Sequence, residues 1–160
     1  MFGKLNEAEI ETVLRTHVFG RIGCHHDGVT YVVPISYAYD GYYIYCHTRE
    51  GMKVKMMRKN PNICFEVDEM TNMADWKSVV GWGDFEEVTI PVERKQALHC
   101  LVNRILPIIS SETTHLSPLW PFPPKDLDDI QGVVFRIKLE SKSGRFEKHM
   151  SSNVRSHKYE

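Results

Sequence analysis

Apolar and polar residues alternate along much of this chain, and turn-forming pairs interrupt the alternation. Val18 to His25 reads as a strand, Asp27-Gly28 as a tight turn and Thr30 to Tyr39 as the returning strand. Asp40-Gly41 is a second turn pair, of the kind that places both central residues at φ > 0, and Tyr42 to His47 follows as a third strand. Together they predict a three-stranded antiparallel meander. Pro34 falls inside the middle strand. It cannot donate to a ladder, so it marks either a bulge or backbone that faces something other than a strand.

Further along, Ile63, Phe65 and Val67 alternate with Cys64, Glu66 and Asp68, which predicts a strand over Asn62 to Glu69. Trp76 to Thr89 reads as a long strand or bent pair with bulges at Gly81 and Gly83, and Gln131 to Leu139 as a last strand. Helical spacing appears three times. Residues 7–16 open with a capping box, Asn6 as N-cap and Glu9 three residues on, and carry the stripe Ile10, Val13, Leu14. Gly51 to Lys59 is a short basic helix ended by Asn60-Pro61. Pro91 opens a third helix that runs to about residue 106.

About six strands with peripheral helices predict a mainly β fold. Closing the strands into a small antiparallel barrel removes exposed edges. Side chains fill a barrel of this size, so a ligand sits outside it or at a mouth. Residues 1–150 are expected to form one domain and 151–160 a polar tail, with fraying from Ser141 onward.

Composition narrows the functional classes. The chain has 160 residues, 42% hydrophobic and 26% charged, with a net charge of −1. So balanced a charge gives no field for nucleic acid or an anionic membrane. There is no apolar run long enough for a transmembrane helix, and the start (Met1 to Glu7) lacks a signal-peptide core. A cytoplasmic protein is expected. Cys24, Cys46, Cys64 and Cys100 form no C-x-x-C pair and are expected as reduced, buried thiols. His25 and His26 point to opposite faces of a strand, so no metal site is expected there. No Ser-His-Asp or paired-carboxylate signature is present.

The strongest candidate chemistry follows the third strand. Cys46-His47-Thr48 ends it, and Arg49, Lys53, Lys55, Arg58 and Lys59 follow within eleven residues. Free N–H groups at a helix start together with lysines suit a phosphate. A solvated basic helix explains the same pattern. His47 either donates to a ligand or satisfies a strand-end carbonyl. Lys77 and Ser78 could face a ligand, although spacing alone favours an ordinary sheet strand. Leu116, Leu119, Trp120 and Phe122 lie in a proline-rich loop too apolar for exposure, which covers either an interface or its own barrel.

Five pieces in order carry a family resemblance: F-G-R-I-G-C with Arg21; Y-V-V-P-I-S-Y-A-Y-D-G-Y-Y-I-Y-C-H-T; G-M-K-V-K-M-M-R-K-N-P; C-F-E-V-D-E; and W-K-S-V-V-G-W-G. G-R-F-E-K at Gly144 to Lys148 adds to them. The chain resembles the flavin-binding split-barrel superfamily, and within it the pyridoxamine 5′-phosphate oxidase-related proteins that include nitroimidazole-resistance reductases. The resemblance covers most of residues 5–150.

It implies a homodimer of six-stranded antiparallel split β-barrels with one FMN in each of two interface clefts. The Pro34-Ile35-Ser36 backbone would face the isoalloxazine edge. His47 and Thr48 would line the ribityl-phosphate path, and Lys53 with Arg49 would hold the phosphate. Ser78 and Val79 would approach the flavin, and Arg21 would add a phosphate contact; apart from the resemblance, the apolar loop itself makes Trp120 the expected anchor over the interface or the cleft. The activity implied is an oxidoreductase acting on a small molecule, a nitroaromatic compound among the options. The R-x-R…R-L-x-P segment of true pyridoxamine phosphate oxidases is absent, which argues against that substrate. The alternative is a flavin- or haem-binding module without turnover. The basic cluster after Thr48 and the lack of a G-x-G-x-x-G dinucleotide fingerprint favour FMN over FAD.

Overall fold

The computed structural model describes residues 1–106, 114–116 and 124–149. In chain order it contains β1 (Phe2–Lys4), α1 (Glu7–Thr16), β2 (Phe19–His26), β3 (Val29–Tyr39), β4 (Tyr43–Thr48), α2 (Met52–Lys59), β5 (Asn62–Asn72), β6 (Asp75–Glu87), α3 (Pro91–Asn103) and β7 (Val133–Glu147). The strands run in the order β1-β7-β4-β3-β2-β5-β6, and β6 also pairs with β7. Six strands therefore close a ring, and β1 is a short addition beside the end of β7. All pairs are antiparallel. This is the split barrel expected from the sequence.

Local chemistry explains most boundaries. The capping box at α1 is present in both directions: Asn6 Oδ1 accepts from the Glu9 N–H at 2.9 Å, and Glu9 Oε2 accepts from the Asn6 N–H at 2.7 Å. Asp27 and Gly28 both have positive φ, as the first tight turn requires. The second turn differs from expectation. Only Gly41 is at positive φ there, and Asp40 Oδ1 instead accepts from the N–H groups of Tyr42 and Tyr43.

One face of each strand fills the barrel. Ile22, Tyr37, Ile44, Phe65, Val79, Phe135 and Ile137 are fully shielded there. Helix α1 adds Ile10, Val13 and Leu14 to this core, and α2 adds Val54, Met56 and Met57. The Tyr37 hydroxyl donates to the Leu14 carbonyl at 2.9 Å, and its ring meets Phe65 edge-on at 4.9 Å. Helix α3 lies on the outside, where Ala97, Leu98 and Leu101 pack on Ala38, Tyr45 and Val134. Leu116 packs on this outer cluster, so the start of the proline-rich segment covers its own barrel. Leu119, Trp120 and Phe122 lie outside the described residues.

Strand β7 corrects the expected fraying from Ser141. It continues to Glu147, paired with β6 on one side and at its end with β1 on the other. The register shifts between Trp82 and Gly83, where Trp82 faces Ser141 and Gly83 faces Leu139. Glu140 is thus the extra residue of a bulge, and it reverses the inside–outside alternation of everything after it. The four cysteines are free; Cys24 and Cys46 are buried, Cys64 and Cys100 partly so. Burial pushes all four thiols up, which keeps them un-ionised.

Candidate functional site

The barrel opens between β3 and β4. Tyr37 pairs with Cys46, but the ladder ends there, and Thr48 continues beside Val133 of β7 instead. Residues 29–36 of β3 keep β2 as their partner. The Tyr37 N–H donates to the Val18 carbonyl on the β2 side at 2.9 Å. Backbone direction alternates along a strand, so Ser36 and Pro34 turn their polar groups to the edge that β4 has left. No register shift accompanies Pro34. Of its two expected meanings, the structure shows the second: backbone that faces no strand on that side.

His47 stands at the rim of this split. Its Nε2 lies 2.6 Å from the Gln131 carbonyl. A carbonyl only accepts, so Nε2 carries the proton and Nδ1 presents a lone pair. Nδ1 is shielded from solvent and has no hydrogen-bond partner among the described residues. Burial first, then the charges of Arg94, Arg104 and Arg49, push the imidazole pKa down, so the ring is neutral at neutral pH. Gly132 makes the close contact between His47 and the β7 entrance possible. Its φ is +103°, and a Cβ there would lie 2.8 Å from the Thr48 carbonyl and 2.9 Å from His47 Nε2.

Thr48 is buried, and its hydroxyl donates to the Arg49 carbonyl at 3.2 Å. Arg49 is exposed. Lys53 lies in the first turn of α2, whose N-cap Gly51 supplies no side-chain cap. Lys53 is half-buried, and its charge reaches the Cys24 and Cys46 thiols. It has no ion pair or hydrogen bond among the described residues. Arg58, by contrast, is held by Glu50 and Glu87 at 2.7 Å each. The side chains of Ile35 and Val79 are in the core, so only their backbones could face a ligand.

The remaining residues singled out by the sequence sit elsewhere on the outer face. Arg21 on β2 is bound by Glu66 at 3.0 Å and Asp68 at 2.5 Å, and Ser78 donates to Glu66 at 3.1 Å. Within one chain Ser78 is three strand spacings from Ser36, about 14 Å. Further along these strands lies a groove of about 620 Å³ lined by Arg21, Val32, Cys64, Glu66 and Trp82 among others. Val32 is 62% exposed and Trp82 47%.

Sequence reasoning missed the cations on the α3 side. Arg94 donates to the Ile130 carbonyl at 2.7 Å, and Arg104 donates to Ser36 Oγ at 2.5 Å. The charges of Arg94, Arg104 and Arg49 thus act on one neutral His47, and the Lys53 charge reaches Cys46, its neighbour on β4. The donor set suits an anionic ligand that also carries hydroxyl donors, because cations meet the anion and His47 Nδ1 accepts from a hydroxyl. A flavin mononucleotide has both parts, a phosphate and a ribityl chain.

Comparison with known proteins bears on the family and the fold. A family described as pyridoxamine 5′-phosphate oxidase matches residues 6–146. A FAD-binding protein from Mesorhizobium loti is 31% identical in a match covering 93% of this chain and 98% of that one, with a TM-score of 0.73. A protein of Bacteroides thetaiotaomicron, described as a candidate 5-nitroimidazole antibiotic resistance protein, shares the fold at 18% identity and a TM-score of 0.69, over 91% of this chain and 87% of that one. An uncharacterized protein of Rhizobium meliloti is 33% identical over 84 residues, 52% of this chain and 56% of that protein. The chain thus spans little more than half the length of that curated relative. Among the described residues, no helix is long and apolar enough to cross a membrane.

Proposed function

Because the chain belongs to the pyridoxamine 5′-phosphate oxidase family, we propose that it binds one FMN in the split between β3 and β4 and acts as a flavin-dependent oxidoreductase on a small molecule. The observation that carries this reading is an unsatisfied acceptor, His47 Nδ1, beside the charges of Arg94, Arg104 and Arg49, none of which pairs with a carboxylate among the described residues. A buried acceptor without a donor costs free energy that a ribityl hydroxyl would recover. Lys53, the free N–H groups of the α2 start and Arg49 would hold the phosphate. The Pro34 to Ser36 backbone would meet the ring edge. Bound flavin supplies electron transfer to a small substrate, while the chain supplies position, charge and exclusion of water.

Arg21 fits a phosphate contact poorly, since two carboxylates already neutralise it. Ser78 and Val79 reach a flavin at the β3–β4 split only from a second copy, given the strand spacings between them. A homodimer that seats the exposed Val32 and Trp82 against a partner would bring them there. The Mesorhizobium relative is described as FAD-binding. FMN is preferred here because basic residues follow Thr48 directly, as a terminal phosphate needs, and no G-x-G-x-x-G fingerprint occurs.

Releasing the cofactor by heat and separating it against FMN and FAD standards tests the assignment. FAD, or a colourless protein that takes up no FMN, would refute it. Bleaching of the yellow protein by NADH or NADPH, and reoxidation by a nitroaromatic compound, tests turnover. Flavin that neither nucleotide reduces would favour a carrier.

A further inference from the structure

Arg104 caps the C-terminus of α3, and its side chain returns to the outer face of β3. Nη1 donates to Ser36 Oγ at 2.5 Å and Nη2 to the Thr114 carbonyl at 3.1 Å. Ser36 Oγ passes the chain on to the Val18 carbonyl at 3.2 Å. Nε is shielded from solvent and has no hydrogen-bond partner among the described residues. Arg21, Arg58 and Arg136 each pair with two carboxylates. Arg104 pairs with none among the described residues. Burial lowers its pKa to about 10, so it remains a cation at neutral pH. A fixed, desolvated cation without a counter-ion is costly to keep, and it is poised for an anion brought by a ligand.

We propose that Arg104 donates from Nε to the N1–C2 carbonyl edge of the bound flavin and thereby sets the flavin's reduction potential. This rests on the flavin reading of the β3–β4 split. Arg104 is bonded to Ser36, in the backbone segment that would face the isoalloxazine edge, and its Nε–H has no partner among the described residues. Uptake of two electrons and one proton by the oxidised ring places the proton on N5 and leaves one negative charge shared by N1 and the C2 carbonyl. A cation held there favours that anion over the neutral oxidised ring, because it is already oriented before the charge appears. The two bonds to Ser36 and Thr114 supply that orientation.

The test is a reductive titration of FMN-loaded protein with dithionite against a reference dye, for wild type, R104Q and R104K. Gln keeps a donor toward Ser36 and removes the charge; Lys keeps the charge. R104Q is expected to hold reduced FMN at least tenfold less tightly relative to oxidised FMN, a fall of about 30 mV for a two-electron couple. R104K should stay within threefold of wild type. Equal potentials for wild type and R104Q, or an equal fall in both variants, would overturn the assignment and leave flavin binding standing. Wild type that takes up no FMN would overturn both. The wild-type protein supplies a second readout that needs no variant. Its reduced flavin should show the anionic spectrum at neutral pH, and a neutral-hydroquinone spectrum would overturn the role of Arg104.

Discussion

Lys53→Ala isolates the phosphate part of the site. Lys53 is half-buried in the first turn of α2, where no side chain caps the free N–H groups. It makes no ion pair or hydrogen bond among the described residues, so its removal breaks no such bond in the unliganded fold. The expected loss is therefore one charge-assisted hydrogen bond to the ligand, roughly 1.5–3 kcal/mol. That corresponds to roughly a ten- to 150-fold rise in Kd for FMN. Lys55 and Lys59 are exposed on the same helix. Their removal should cost well under about 1 kcal/mol, as for other solvated charges. Arg58→Ala should leave Kd unchanged, because its guanidinium is committed to Glu50 and Glu87. Quenching of flavin fluorescence by apoprotein gives each Kd. Riboflavin, which lacks the phosphate, separates this role from a general loss of the site. Lys53→Ala should bind riboflavin as wild type does. Equal FMN affinity for Lys53→Ala and wild type, or an equal loss for FMN and riboflavin, would refute the reasoning.

Three further outcomes follow from the geometry. His47 has its pKa lowered below the ordinary 6.5, so its contribution to stability is present above that value and is lost as pH falls through the lowered folded pKa. His47→Gln keeps a donor for Gln131 and removes the titration, so urea midpoints below pH 6.5 should fall less steeply than in wild type; identical slopes would contradict this. Gly132→Ala forces a side chain at φ +103° against the Thr48 carbonyl and His47. It should cost roughly 1–3 kcal/mol in a thermal or urea melt, and an unchanged melt would show that the contact relaxes freely. Trp82→Glu places a charge on the exposed face of β6 and should shift the protein toward monomer in sedimentation. A stable dimer in that variant would place the interface elsewhere.

Local signals in the sequence carried most of the fold. The Asn6 and Glu9 capping box, the Asp27-Gly28 turn and the alternation of Ile63, Phe65 and Val67 all act through neighbours a few residues away. Pro34 was legible for the same reason: a residue that cannot donate needs an edge without a ladder. The second half of β7 was not legible, because the bulge at Glu140 breaks the period of two and Ser141, Ser143 and Arg145 then read as a polar tail. At the site, His47 and Lys53 were visible as polar residues at a strand end and a helix start. Arg104 was not, since its meaning comes from Ser36, 68 residues away. Arg21 was overread. Its partners Glu66 and Asp68 sit two apart on a strand, and that spacing already put both carboxylates on one face.

Sedimentation of the purified protein, followed in the visible absorption band of flavin, tests the central claim most directly. The account predicts that the colour travels with a particle of twice the chain mass and that the released cofactor is one FMN per chain. Colour travelling with a single chain would contradict the shared cleft. A colourless protein that stays so after incubation with FMN would contradict the account as a whole.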